Sequence, residues 1–297
     1  MKRFKLLSTF IVFSAFILTG NYLFADNYSY SDSWGQQGYS VVSTDGLGIQ
    51  INYSIQNLGI NDVSINGEKM KSLELPGQFL PNDEGSPNLP GSGRFIALPQ
   101  GSTPELKIKS FRTETFENID MMPAPRIPWA NEDGPLEYNK DMAIYSADQF
   151  YPAQPIKLSG IDQIRGVDVV MLGITPFQYN PVTKQLLVYR DIEVEIIFKG
   201  GSSHFGEDRL RSRWWDPMLS DILLNYESLA KVDYNKSYQA MDDVGCEYLI
   251  ITPTGPDFQQ WADSIRNFRT LQGIQTMVVT LDEIGGNNAN TIENYIN

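Results

Sequence analysis

Short apolar runs that alternate with polar positions dominate residues 38–200. A period of two is typical of half-buried β-strands, because successive side chains of a strand point to opposite faces of the sheet. Clear examples are Leu47, Ile49 and Ile51; Leu106 and Ile108; and Ile192, Val194 and Ile196. Many short strands with one apolar face each predict an antiparallel all-β module, sandwich-like or barrel-like.

Turn sequences separate these runs, as expected for strands joined by hairpins. The turn signals are Asp45-Gly46, Asn66-Gly67, the Gly/Pro-rich span 85–93, Asn180-Pro181 and Gly200-Gly201. Residues 118–140 are rich in Pro, Asn and Met and have no clear period. They predict a long crossing loop within the module.

Residues 213–230 change to helical spacing, with an apolar side formed by Met218, Leu219, Ile222, Leu223, Tyr226 and Leu229. This predicted helix either closes the core of the β module or docks on another domain. The next residues, 231–245, have no periodicity and predict an interdomain linker.

Residues 246–297 have a third pattern, strand, helix, strand, helix, which is typical of an α/β domain. Cys246–Thr252 is an apolar run that suits a buried parallel strand, and Gly273 ends the helix that follows it. Two parallel strands and two helices bury little apolar surface, so we expect this segment to be labile in isolation. The pattern ends inside a helix, which predicts that the chain is the first part of a longer protein.

The N-terminus has Lys2, Arg3 and Lys5, followed by an apolar run and then by Leu23-Phe-Ala25. This arrangement predicts a secretory signal peptide, residues 1–25, cleaved after Ala25. Residues 26–37 are polar with interleaved aromatic residues and predict a flexible tail. Signal removal takes the net charge from −13 to −16, which disfavours nucleic-acid binding. Since no other segment approaches the ~20 apolar residues of a membrane span, we expect no membrane attachment after cleavage.

The residues that most often carry catalysis are scarce in this chain. The one cysteine, Cys246, begins an apolar run and is interpreted as a small buried residue, while the one histidine, His204, lies in a Gly/Ser loop. They fall in different predicted domains, so a Cys/His dyad between them is rejected. One cysteine also excludes an internal disulfide framework.

No metal or cofactor motif stands out in the sequence. Adjacent acidic residues, such as Asp83-Glu84 and Asp282-Glu283, fall in predicted loops and are interpreted as solvated charge. Asn82–Gly85 has oxygen ligands suited to calcium but lacks the alternating pattern of a twelve-residue calcium loop. We therefore expect no cofactor and no metal.

Two parts of the chain resemble the gingipain family of cysteine peptidases, peptidase family C25, which are relatives of caspases. Residues 85–200 resemble the family's propeptide through Gly85–Pro90, Ile96–Pro99, Arg165-Gly166, Pro176–Pro181 and Val188–Glu195. Residues 246–297 resemble the start of its peptidase domain through Tyr248–Pro253, the helix that carries Trp261, Leu271–Gly273, Thr276–Val279 and Thr291–Ile296.

The resemblance implies a secreted zymogen: signal peptide, β-rich propeptide over 38–230, linker over 231–245, and the first βαβα of a caspase-like α/β peptidase domain over 246–297. The catalytic cysteine and histidine of such an enzyme are expected beyond residue 297, so this fragment is predicted to be inactive. Its expected partners are protein or peptide substrates and its own peptidase domain. The route implied is Gram-negative export to the cell surface or medium.

Gingipain-type enzymes cleave after Arg or Lys, and the predicted linker has no arginine. Lys236 is therefore the preferred candidate for the maturation cleavage, with Lys231 as the second. Two other functions stay open. One is a sortase-like member of the same family that acts in type IX secretion, and the other is a non-enzymatic exported β-sandwich that binds peptide or glycan.

Overall fold

The computed structural model describes residues 25–77, 82–207, 211–232 and 246–296. Most of the regular structure is β-sheet. The first strands are β1 (Ala25–Ser29), β2 (Gly38–Asp45), β3 (Gly48–Ser54), β4 (Asn57–Ile65), β5 (Glu68–Glu74), β6 (Ser92–Ala97) and β7 (Thr103–Phe116). The others are β8 (Ile156–Leu158), β9 (Asp162–Ile164), β10 (Val167–Ile174), β11 (Phe177–Asn180), β12 (Gln185–Lys199), β13 (Tyr248–Thr252) and β14 (Thr276–Thr280). The helices are α1 (Met142–Tyr145), α2 (Asp216–Ile222), α3 (Pro256–Leu271) and α4 (Ala289–Ile296), with a 3-10 turn at Tyr226–Ser228.

Strand β12 is the central strand of the largest sheet. It pairs with β7 along one edge, while β11 and β3 share its other edge and β2 pairs with β3. Every pairing is antiparallel, and every second residue of β12 is buried along most of its length. The alternation of Ile192, Val194 and Ile196 therefore faces the core, as the sequence predicts.

Two further antiparallel sheets complete the module, and each described sheet is open. One has the order β1-β4-β5, and the other places β10 between β6 and the short strands β8 and β9. Side chains from all three sheets meet in one hydrophobic cluster whose members lie between Ile49 and Leu229. The α/β segment contributes none of them, so the β module holds its own core.

Hairpin geometry follows the turn residues. Asn66 and Gly67 both have positive φ and join β4 to β5, as predicted from the sequence. Arg165 and Gly166 form the same kind of two-residue turn between β9 and β10. Because paired positive φ angles match the right-handed twist of the strands, these turns set the strand register.

The segment predicted as a flexible tail, residues 26–37, is instead an integral part of the module. Strand β1 pairs antiparallel with β4, and Tyr30 is hydrogen-bonded to the backbone of Gln56. Farther along, Trp34 donates its backbone N–H to the buried carboxylate of Asp191, at 2.8 Å. The prediction from composition was wrong because these partners lie far away in sequence.

The helix predicted over 213–230 is also shorter than expected. It begins at Asp216, ends at Ile222 and is followed by extended backbone and the 3-10 turn. Leu219, Leu223 and Leu229 nevertheless reach the core cluster. This arm therefore closes the β module, which is the first of the two roles considered for it.

Residues 246–296 form the predicted strand, helix, strand, helix unit, with β13 and β14 parallel. Helix α3 has Pro256 in its first turn and ends before Gly273, whose φ is +76°. No side chain caps its start, because the N-cap residue is Gly255, and the Thr254 hydroxyl donates to Asp282. Within the described part of the chain, no helix is long and apolar enough to cross a membrane.

Candidate functional site

The arm that leads into the predicted linker is held by a buried arginine. Arg211 forms a two-pronged ion pair with Asp216 and donates a further hydrogen bond to the carbonyl of Ala230. Its side chain is almost fully buried. Because a buried guanidinium needs such partners, this contact fixes the chain at Ala230, directly before the linker begins.

Asn225 attaches the same arm to the edge of β6. Its side-chain oxygen accepts the N–H of Ala97 at 2.8 Å, and its side-chain nitrogen donates to the Ala97 carbonyl at 2.9 Å. The amide thus replaces one residue of a neighbouring strand. Both groups are buried, so this edge is covered rather than open to other chains.

The predicted crossing loop, residues 118–140, lies between β7 and α1 and has an anchored first half. Met121, Met122 and Ala124 are buried. The N–H of Met122 donates to the Lys71 carbonyl, and its carbonyl accepts the N–H of Asn88. Its chain path is therefore determined up to this point by the β module.

The second half of the crossing loop is exposed. Ile127 and Trp129 have 69% and 74% of their surface in solvent. Arg126, at the start of this half, is paired with Glu132 at 2.8 Å, and this hydrogen bond lowers the pKa of the Glu132 carboxyl. Tryptophan and arginine are enriched in protein interfaces, so an exposed tryptophan on a loop held by an arginine ion pair is typical of an interface.

The candidate maturation residues lie at the exit of the arm. Lys231 is exposed and follows the anchored Ala230 directly, whereas Lys236 lies outside the described residues. Ala25, the predicted signal cleavage position, is the first described residue and begins β1. Neither cleavage is tested by these positions, and both stay predictions.

His204 lies in a loop, as the sequence indicates, whereas Cys246 is less buried than predicted. Cys246 is half-buried next to the start of β13, and desolvation raises the pKa of its thiol above the ordinary value. His204 is exposed, and its carbonyl accepts the N–H of Gln100. The described residues contain no group of three or more His, Cys, Asp and Glu side chains placed to hold a metal ion.

The α/β unit presents an uncovered apolar face. Trp261 and Leu271 of α3 are 72% and 88% exposed, and Phe258 and Phe268 of the same helix are also largely in solvent. Within the described chain only Ala262 of α3 is buried. A face of this size on one helix is typical of a surface that packs against further structure.

Comparison with protein families identifies the β module. A family model described as Propeptide_C25 matches residues 37–233, about two thirds of the chain. The chain belongs to the C25 propeptide family. The family model thereby confirms the propeptide resemblance noted in the sequence.

Relatives of this C25 propeptide are gingipains of Porphyromonas gingivalis. Lys-gingipain HG66 is 28% identical over 154 residues, and gingipain R1 is 31% identical over 155 residues. The matched regions cover 50% and 49% of this chain, but only 9% and 15% of the relatives. The chain thus corresponds to a small part of proteins that are much longer.

Solved structures share the fold of this C25 propeptide. The complex of the Porphyromonas gingivalis RgpB pro- and mature domains matches with a TM-score of 0.57 and 19% identity, over 65% of this chain and 98% of that chain. A structure of gingipain K from the same species, concerned with zymogenic latency, matches with a TM-score of 0.52 and 23% identity, over 60% and 100%. The mostly β, open-sheet architecture is therefore that of gingipain propeptides.

Proposed function

We propose that residues 25–232 form a latency and folding propeptide for a secreted, gingipain-like cysteine endopeptidase. The observation that carries the proposal is the match of the Propeptide_C25 family over 37–233. In the proposed precursor, peptide bonds are cleaved by a Cys/His pair in sequence beyond residue 297. The fragment itself has no catalytic role.

Residues 246–296 are proposed to be the first part of that peptidase domain, with the caspase-like α/β fold. The uncovered apolar face of α3 supports this assignment, because further elements of an α/β domain would pack on it. The separate core of the β module supports a boundary between the two parts.

The exposed half of the crossing loop is proposed to cover part of the peptidase domain in the zymogen. Trp129 and Ile127 are positioned to be buried by a partner, and the Arg126–Glu132 pair stiffens the loop in advance. Preorganisation reduces the entropy cost of binding. Latency through a loop of this kind needs no chemistry from the propeptide.

Maturation is proposed to occur in the linker, at Lys236 or at Lys231. The Arg211 anchor at Ala230 supports cleavage after this point, because the module stays intact when the chain downstream of it is cut. The linker is the segment with no sequence periodicity, and proteases cut such segments preferentially. Export is proposed to use the signal peptide over 1–25, by a Gram-negative route to the cell surface or medium.

The test is the full-length precursor, assayed with Lys- and Arg-containing peptide substrates before and after processing. We expect no activity until the linker is cut, and we expect Lys236→Gln to stay latent. Lys231→Gln is the matched control and should mature normally.

The remaining outcomes separate the alternatives. Loss of processing in Lys231→Gln but not in Lys236→Gln would move the cleavage site to Lys231. Peptide products joined to an added amine would identify a transpeptidase of the sortase-like kind. Full activity of an uncut precursor would overturn the latency proposal.

A further inference from the structure

Arg213 lies in the turn that enters α2, yet it contacts the α/β unit. Its Nε lies 3.1 Å from Oε1 of Glu247, and its Nη2 lies 3.3 Å from Oε2 of the same carboxylate. Nη2 also donates to the carbonyl of Gly273. One guanidinium of the propeptide thus holds two points of the following segment, which are 26 residues apart in sequence.

Both contacts lie where a positive charge and hydrogen-bond donors stabilise the α/β unit. Gly273 lies two residues beyond Leu271, the last residue of α3, so the guanidinium is placed near the end of the helix that attracts cations. Glu247 joins the starts of the two parallel strands, since its carboxylate accepts the N–H of Gln275 at 3.0 Å and its own N–H donates to the Gln275 carbonyl. Arg213 therefore neutralises the carboxylate that aligns β13 with β14.

The propeptide presents Arg213 on a fixed turn. The backbone N–H groups of Trp215 and Asp216 both donate to the carbonyl of Ser212, and the Arg211–Asp216 pair holds the same turn from inside. The Trp214 ring lies 4.8 Å from the Arg213 guanidinium and adds a cation–π contact. A preorganised arginine loses less entropy on binding than one on a mobile chain.

We infer that Arg213 is an anchor through which the propeptide orders the first β-α-β of the domain that follows it. The inference rests on the proposed function, and it assigns the folding role of the propeptide to one residue. A unit with only two paired strands and an uncovered helix is marginal on its own, so an outside contact at both strand starts supplies order that the unit lacks. The anchor is a set of noncovalent contacts that lies outside the linker.

The test is hydrogen exchange of the chain from residue 26 to 297, followed by mass spectrometry of peptides that cover 246–252 and 270–280. In Arg213→Ala we expect these peptides to exchange roughly tenfold faster, the effect of losing a charge-assisted hydrogen bond and its ion pair. Arg213→Lys should fall between the two, because an ammonium keeps the charge but lacks the planar pair of nitrogens that holds both carboxylate oxygens. Peptides from β10 and β12 should be unchanged.

Arg266→Ala is the matched control. It removes an arginine–carboxylate pair within α3, Arg266 with Asp263 at 3.0 Å, and leaves the anchor intact. Equal exchange of 246–252 and 270–280 in wild type and Arg213→Ala would overturn the inference, as would equal acceleration in Arg213→Ala and Arg266→Ala. If the precursor is latent with Arg213 and also with alanine at this position, the proposed function stands even when the anchor inference fails. Failure of the inference and failure of the proposed function are therefore distinguishable.

Discussion

Asp191 is a fully buried carboxylate with several partners, so we expect its substitution to destabilise the protein clearly. Its Oδ1 accepts the Ser54 hydroxyl at 2.7 Å and the Trp34 N–H at 2.8 Å. Its Oδ2 accepts from Nε of Arg112 at 2.9 Å, and the same guanidinium continues to Asp32. This network connects the N-terminal segment to the central sheet.

The change Asp191→Asn keeps the shape of the side chain but replaces Oδ2 with an NH₂ group that faces the guanidinium of Arg112. Removing one partner of a buried ion pair costs about 3–5 kcal/mol, and we expect about 3 kcal/mol here. Arg112 is partly exposed and keeps Asp32 as a partner, and the amide oxygen can still accept from Ser54 and Trp34. In a chain of this size each kcal/mol lowers Tm by roughly 2–4 °C, so the expected drop is about 6–12 °C.

The assay is urea and thermal unfolding of wild type and variant by circular dichroism, together with hydrogen exchange of a peptide that covers residues 26–37. Asp62→Asn is the control, since Asp62 forms a partly exposed pair with Lys71 and should cost less than about 1 kcal/mol. A cost for Asp191→Asn equal to that of the control, with residues 26–37 still protected, would refute the buried-network reasoning.

Two further substitutions and one labelling experiment test other contacts of the β module and of the α/β segment. Asn225→Ala should lower the free energy of unfolding by about 2–4 kcal/mol, because the buried N–H and C=O of Ala97 lose their partners; a urea midpoint unchanged from wild type would contradict this. Cys246 should react with iodoacetamide more slowly than free cysteine at pH 8, since burial raises the pKa of its thiol; a faster reaction would contradict the raised pKa. Desolvation raises the pKa of Asp32, but the neighbouring arginine charges outweigh it and the net pKa is lowered. Asp32→Asn should therefore be less stable than wild type at neutral pH, and the difference in Tm should close as pH falls from about 4, the unfolded pKa, through the lower folded value; a difference independent of pH would refute it.

The elements that the sequence predicts correctly are those set by neighbours along the chain. Alternation in β12 and the Asn66-Gly67 turn depend on residues a few positions apart, and the helix stop at Gly273 depends on one backbone angle. The family resemblance likewise depended on local runs such as Val188–Glu195.

The elements that it misses depend on distant partners. Residues 26–37 are ordered by Asp191 and Arg112, which lie about 80 to 160 positions away. The helix after Asp216 is interrupted where Asn225 reaches Ala97, 128 positions earlier. No periodicity encodes either contact, and the Arg213 anchor is invisible to sequence patterns for the same reason.

We propose that residues 25–232 keep a peptidase latent. Because this module holds its own core, it can be produced separately and titrated against the mature peptidase released from the full-length precursor. We expect saturable inhibition at one module per peptidase. The inhibition should be weaker in a variant that replaces Ile127 and Trp129 with serine but retains the Tm of the parent. Undiminished peptidase activity at a large excess of folded module would contradict it.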